Sequence, residues 1–328
     1  MRYLRNTSTD VYFNMAFDEY ALEQLPLDEP LFFLWQNRSA VIIGLNQNAY
    51  AEVDMNYLRQ HDIDLARRIT GGGAVYHDLG NLNYTIVGRS SDIERDYPEY
   101  ARHMQQALQA LGVQAELSGR NDILVDGRKV SGYAKRVYKD RLMVHGTLMY
   151  DVDIEKLTKA LTPPTEKLLI KGITSVKSRV ANLKDYLPGI ASIEAFSNAL
   201  EHHLSRQYKD QEYLLTEKQL AEIHDIATNK FATPDWIYGR APESTFTYSR
   251  RLPCGNVEVY LSIKKGHIEN CRIDGDFIGS SPITAVEELL KGSFYERTAL
   301  QQRLSEINIR RYLDNTTTEA FINLLFNL

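Results

Sequence analysis

Cysteine is scarce: Cys254 and Cys271 are the only two in 328 residues. Two thiols build no disulfide framework, and these match no zinc-ligand spacing. Long apolar runs are missing as well. The longest, "LFFLW" at 31–35 and "AVIIG" at 40–44, fall far short of the roughly 20 residues that cross a bilayer. The opening "MRYLRNTSTD" has no apolar signal core, so the expectation is a cytoplasmic protein with no membrane partner. Positive charge is not in excess either. A net charge of −5 argues against nucleic acid as the main partner, because phosphate backbones select basic surfaces.

What is present fits a globular chain. The sequence is 43% hydrophobic and 25% charged, ordinary values for a folded protein, and its length suggests about two domains. Residues 11–25 place Phe13, Ala16, Phe17, Tyr20, Ala21 and Leu25 at helical spacing behind an Asp10 cap, with Pro26 as a stop. The segments "LFFLWQN" and "AVIIGLNQN" read as two strands paired with each other, the second trailing into the polar Asn46, Gln47 and Asn48. A short helix at "DMNYLRQHD", strands at "IDLARRI" and "NLNYTIVG", and a helix at "PEYARHMQQALQALG" follow. From 122 to 149, turns at Asp126-Gly127 and "KDR" punctuate an antiparallel meander. Further helices are expected at 153–161, 192–207 and 216–230.

The fold class is therefore α+β, a mainly antiparallel sheet with packed helices. Periodicity fails around "TPDWIYGRAPEST", which puts a boundary just after it: 1–245 as the main domain and 246–328 as a small α+β accessory domain. The second is expected to hold strands "VEVYLSIK" and "HIENCRI" and then helices from about 283.

The chemistry concentrates in two places. In "RRITGGGAVYHD", residues 67–78, three glycines stand between arginines and a His-Asp pair. Glycine permits positive φ and close backbone approach, and successive inward N–H groups make an anion-binding concavity. No Gly-Lys-Ser/Thr follows, so it is not a P-loop, and its spacing is not the dinucleotide fingerprint. A glycine triplet alone also suits a bulged hairpin. The flanks favour an anion: Arg68 is a candidate clamp for phosphate or carboxylate, and His77, Asp78, Asn81 and Asn83 gather close by. The second place is 119–151, where Lys129 lies just past the Asp126-Gly127 turn beside the small residues Ser131, Gly132 and Ala134.

Together "RRITGGGAVYHDLGNLNYT", "GRNDILVDGRKVSGYAKR", "HGTLMYDVD" and "SVKSRVANL" resemble the lipoate-protein ligases of the biotin/lipoate ligase-like fold, in order from the first helix to "WIYG" at 236–239. The resemblance implies activation of free lipoate, and octanoate too, with Mg²⁺ and ATP to an acyl-AMP. The acyl group then passes to a lysine of apo lipoyl domains of 2-oxoacid dehydrogenase E2 subunits or of glycine cleavage H protein. It assigns Arg68 and the backbone of Gly73, Ala74, Val75 and Tyr76 to the adenylate, and Lys129 to the acyl carboxylate and α-phosphate. Asp122 takes magnesium, while Gly71, Gly72, His77, Asn81, Ser131, Gly132 and His145 shape the lipoate pocket. Thr70 and Tyr133 depart from the family, which commonly has Ser and a small residue there. The resemblance also implies a swinging tail with a hinge near Gly239 and Pro242, and a monomer.

Two rivals remain at this point. An acyl transferase of the same fold needs a cysteine in its catalytic domain, whereas both cysteines lie after the boundary. A non-catalytic lipoate binder has no need of the full set of lysine, arginine and aspartate.

Overall fold

The strand "NLNYTIVGR" alternates two kinds of side chain, and that alternation organises the molecule. Asn81, Asn83 and Thr85 point to one face, Leu82, Tyr84 and Ile86 to the other. Every residue of this strand except its last is buried, so both faces are covered.

The computed structural model describes residues 1–47, 49–119, 121–161, 179–205, 212–238 and 244–328. Asn48, residues 175–178 of the "SVKSRVANL" motif and the hinge expected at Gly239 and Pro242 lie outside the described residues. Two compact units result, Met1–Thr233 and Pro234–Leu328.

In the first unit the strands are β1 (Arg2–Leu4), β2 (Leu31–Trp35), β3 (Ala40–Ile43), β4 (Asp64–Arg67), β5 (Val75–His77), β6 (Asn81–Arg89), β7 (Glu116–Ser118), β8 (Asp122–Val125), β9 (Arg128–Tyr138), β10 (Arg141–Met149) and β11 (Glu212–Tyr213). Eight of them form one sheet in the order β11-β1-β2-β6-β10-β9-β8-β7, and three form a second, β4-β3-β5. From β2 to β7 the large sheet is antiparallel, while β1 pairs in parallel with β2 and β11, and β3 with β4. The class is α+β, as the sequence implied.

One face of the large sheet is the apolar core. Phe32, Leu34, Leu82, Tyr84, Ile86 and Val144 pack with Met104 and Leu108 of the helix Ile93–Ala110 and with Phe196 and Leu200 of the helix Ile193–Ser205. The opposite face is polar and carries Trp35, Asn83, Thr85, His145 and Thr147, which the register sets side by side. Across it lie the small sheet and α1 (Val11–Glu23). The Asp10 carboxylate caps that helix by accepting from the Phe13 N–H at 2.7 Å, and α1 is buried on nearly every side, including Asn14 and Asp18.

Three expectations change. The apolar runs at 31–35 and 40–43 do not pair with each other: β2 belongs to the large sheet and β3 to the small one. Asn37 lies between them, and its buried amide is held by Asn14 rather than by a hairpin ladder. The helix expected from Pro98 starts five residues earlier, because Asp92 caps it at Arg95 N–H. In the second unit the predicted strands appear as β13 (Gly255–Lys264) and β14 (His267–Gly275), preceded by an additional β12 (Ser244–Leu252). These three form an antiparallel sheet accompanied by helices Thr284–Leu290, Arg297–Leu304 and Thr318–Leu325.

Candidate active site

The glycine run connects β4 to β5, the two strands that flank β3. Gly72 has φ +97°, a conformation open to glycine. Gly44 supplies clearance, since a Cβ there would lie 2.1 Å from the Gly72 carbonyl oxygen. The loop is wound around its own arginine. Arg68 donates through Nη2 to the carbonyls of Gly71 (2.7 Å) and Gly73 (2.8 Å), through Nε to Thr70 Oγ1 (2.9 Å), and through Nη1 to the Ile42 carbonyl (3.2 Å). Burial lowers its pKa to about 10, which leaves it cationic at neutral pH.

In a trans peptide the N–H points opposite to the C=O. With the carbonyls of Gly71 and Gly73 turned onto the guanidinium, the N–H groups of Gly72 and Ala74 turn away from it. Neither donates to another described residue. The loop is thus a pair of fixed dipoles presented outward, suited to an anion. The sequence reading gave Arg68 to the anion directly, whereas the structure engages its fork with the loop's own carbonyls.

The loop forms one wall of a cavity of about 120 Å³. Of the expected residues, Arg68, Gly72, Gly73, Ala74, Val75 and His77 line it from the small sheet, and Lys129, Gly132 and His145 from the large one. Gly71, Tyr76, Asn81, Ser131 and Asp122 are not in the lining. Met15, Trp35, Ile42, Asn121 and Thr147 are additional. Tyr133, the departure noted above, both lines the cavity and belongs to the core beside Tyr97, at 5.9 Å between ring centroids.

Lys129 provides the cation. A bulge between Ile123 and Leu124 shifts the β8–β9 register at this point, and the Lys129 backbone bonds both Arg179 and Ala181. Its Nζ lies 2.7 Å from Asp122 Oδ1, an ion pair not aligned as a hydrogen bond, with both side chains about one-third exposed. Gly132 gives the amine its place, because a Cβ there would come within 2.8 Å of Nζ.

Behind the cavity runs a buried chain of hydrogen bonds. Arg68 Nε donates to Thr70 Oγ1, whose hydroxyl meets His145 Nε2 at 2.8 Å, and His145 Nδ1 meets Asp18 Oδ2 at 2.6 Å. Asp18 Oδ1 accepts from Thr85 Oγ1 (2.7 Å), which accepts from Trp35 Nε1 (3.0 Å). Since the carboxylate only accepts, His145 carries its proton on Nδ1, and Thr70 passes its hydrogen to Nε2. Both arms of the network point their donors at Asp18.

His77 is fully enclosed. Burial, reinforced by the charge of Arg68, pushes its pKa down to about 3. An unfolded histidine takes its proton near 6.5, so below that pH the unfolded chain binds more protons and stability falls as the pH drops. From pH 7.5 to pH 5 this one group removes about 2 kcal/mol. Urea titrations of the wild type and of His77→Phe at both pH values check it: the substitution shrinks the acid-side loss by that amount, and an unchanged loss contradicts the assignment.

A fixed cation, outward N–H dipoles and an apolar wall with Trp35 and Met15 on one cavity suit a carboxylate at the end of an apolar chain, joined to a phosphate. Comparison with known proteins agrees. The lipoyl protein ligase A/B catalytic domain matches residues 10–205, and the bacterial lipoate protein ligase C-terminus matches 241–325. Lipoate-protein ligase LplJ of Bacillus subtilis is 40% identical over 321 residues, 97% of each chain. Lipoate-protein ligase 1 of Staphylococcus aureus is 37% identical over 327 residues, 99% of this chain and all of its own. Among solved structures, a bi-partite lipoate protein ligase of Thermoplasma acidophilum, described with its E2 lipoyl domain, has TM-score 0.66 and 31% identity, over 74% of this chain and 98% of its own. A putative lipoate protein ligase of that organism with bound lipoic acid gives TM-score 0.62 and 30% identity over 73% and 98%. A lipoate-protein ligase A bound with ATP gives 0.64 and 29% over the same shares.

Proposed function

The chain belongs to the lipoate-protein ligase family, and on that premise we propose that the cavity between the glycine loop and Lys129 is where free lipoate and ATP react. The observation that carries this reading is that Lys129 lines the same cavity as the glycine loop, whose Gly72 and Ala74 N–H groups are turned off the loop's own arginine.

Joining a carboxylate to the α-phosphate of ATP brings two anions together. Lys129 sits between them, offsets their repulsion and stabilises the charge that develops on the transferring phosphoryl group. Gly72 and Ala74 hold phosphate oxygens through backbone N–H, with Arg68 fixing the loop, and Gly73, Val75 and Tyr76 complete the adenylate wall. Pyrophosphate leaves and lipoyl-AMP remains. In the second half the neutral ε-amine of an acceptor lysine attacks the acyl carbonyl and AMP departs, so no enzyme nucleophile is needed.

Magnesium enters with ATP. No cluster of three or more metal-ligating side chains exists among the described residues, which suits an ion held by one carboxylate, waters and substrate phosphates. Asp122, beside Lys129, is the carboxylate for it. The acceptors are apo lipoyl domains of 2-oxoacid dehydrogenase E2 subunits or glycine cleavage H protein. The catalytic share falls in residues 1–245, with 246–328 accessory. Among the described residues no helix is long and apolar enough to cross a membrane, and the reading is of a cytoplasmic monomer.

The test is pyrophosphate release from ATP that depends on lipoate. The doubly substituted Cys254→Ser/Cys271→Ser protein keeps it at near the wild-type rate. Both thiols are buried in the second unit, and burial pushes that of Cys271 up to about 12, where it is protonated and a poor nucleophile. Loss of activity in the folded double variant, or a thioester trapped on the wild type, favours a cysteine-dependent acyl transfer instead.

A further inference from the structure

Lipoate and octanoate carry the same carboxylate on an apolar chain and differ at the other end, where lipoate has two ring sulfurs and octanoate has methylene and methyl groups. A site that tells them apart therefore needs, away from Lys129, a group that treats sulfur differently from carbon. Sulfur is a weak hydrogen-bond acceptor and a methylene is none.

His77 is such a group, and its surroundings fix which ring nitrogen holds the proton. Asn14 Nδ2 lies within donating distance of three oxygens, those of Ser8, Gln36 and Asn37 Oδ1 (2.7 Å), and Asn6 Nδ2 donates to Asn14 Oδ1. The Asn37 amide is thereby oriented with its NH₂ toward His77 Nδ1, at 3.0 Å. Asn83 Nδ2 approaches the same nitrogen at 3.5 Å, its own oxygen taken by Asn81 Nδ2. Every neighbour of Nδ1 is a donor, so Nδ1 accepts and Nε2 bears the hydrogen. The ring is 3% exposed, lines the cavity at 6.0 Å from the Trp35 ring and steeply inclined to it, and has no hydrogen-bond partner for Nε2. The depressed pKa noted above keeps it in this neutral form at working pH.

Resting on the ligase reading, we infer that the His77 Nε2–H is a specificity donor that hydrogen-bonds a ring sulfur of lipoate and so favours lipoate over octanoate. With octanoate the same N–H stays buried and unpaired, the situation in which a polar group rejects an analogue lacking its partner.

The test compares kcat/KM for pyrophosphate release with lipoate and with octanoate. His77→Phe keeps an aromatic ring and removes the donor. It lowers the lipoate-to-octanoate ratio by about 5- to 10-fold, through a raised KM for lipoate, the loss falling on lipoate more than on octanoate. His77→Gln, whose amide NH₂ reaches the position of Nε2, recovers most of the ratio. Equal losses for both acids in His77→Phe, or no recovery in His77→Gln, overturn the inference while the ligase reading stands. No release by the wild type with either acid overturns that reading and the inference with it. Nitrogen NMR of the wild type labelled at histidine is independent of folding of the variants. The His77 signals show the proton on Nε2, and that signal moves with lipoate and not with octanoate. A proton on Nδ1, or the same movement with both acids, contradicts it.

Discussion

Lys129→Ala lowers the rate of lipoyl-AMP formation by about 10²- to 10³-fold, the usual consequence of losing one fixed charge from a site where two anions meet. The effect is expected on chemistry more than on folding. The side chain is about one-third exposed and its ion pair with Asp122 is at the cavity edge, where such pairs contribute little to stability. Single-turnover formation of lipoyl-AMP from lipoate and ATP measures it. A variant that keeps more than about a tenth of the wild-type rate assigns Lys129 a minor contact and moves the cation's role elsewhere.

The second large effect is on Asp18, which does not itself line the cavity yet terminates both arms of the network behind it. Asp18→Ala leaves the His145 Nδ1–H and the Thr85 hydroxyl without their acceptor, and each buried unsatisfied donor costs about 1–3 kcal/mol. Stability of the first unit falls by about 2–5 kcal/mol, seen as a lower urea midpoint. Adenylation is slowed as well where the protein is still folded, because Thr70 and with it Arg68 lose their anchor and the loop's N–H groups lose their aim. Asp18→Asn keeps an oxygen for His145 and falls between the two. If Asp18→Ala is as stable as the wild type, the network is not a stabilising one.

Features decided by neighbouring residues were legible in the sequence. The Asp10 cap, the Asp126-Gly127 turn and the glycine run all rest on local backbone chemistry, whereas Lys129, by its place alone as readily a solvated edge charge, was singled out by the family resemblance of "GRKVSG". Sheet membership was not, since β2 and β3 are equally apolar and only the distant strands β6, β4 and β5 decide which sheet each joins. Pro98 concealed the first turn of its helix, and the polar "STFTYSRRL" concealed β12. The deeper site was harder still. Asn14 and Asp18, four residues apart among the buried apolar residues of their helix, were the available signal for buried polar work. Trp35, Thr85 and Asn37 gave none, because their partners lie 23 to 67 positions away. Arg68 was read as a clamp for an anion, whereas its fork holds the loop's own carbonyls, an arrangement that depends on the turn that Gly72 makes.

The central claim is that this chain couples ATP-driven activation of lipoate to acylation of a carrier lysine. Intact mass of an apo lipoyl domain, after incubation with the protein, lipoate, ATP and Mg²⁺, tests it most directly. The account predicts the gain of one lipoyl group on the wild-type carrier, no gain when ATP is omitted, and no gain when the acceptor lysine is replaced by arginine. A carrier of unchanged mass in the complete mixture, or one acylated without ATP, contradicts it.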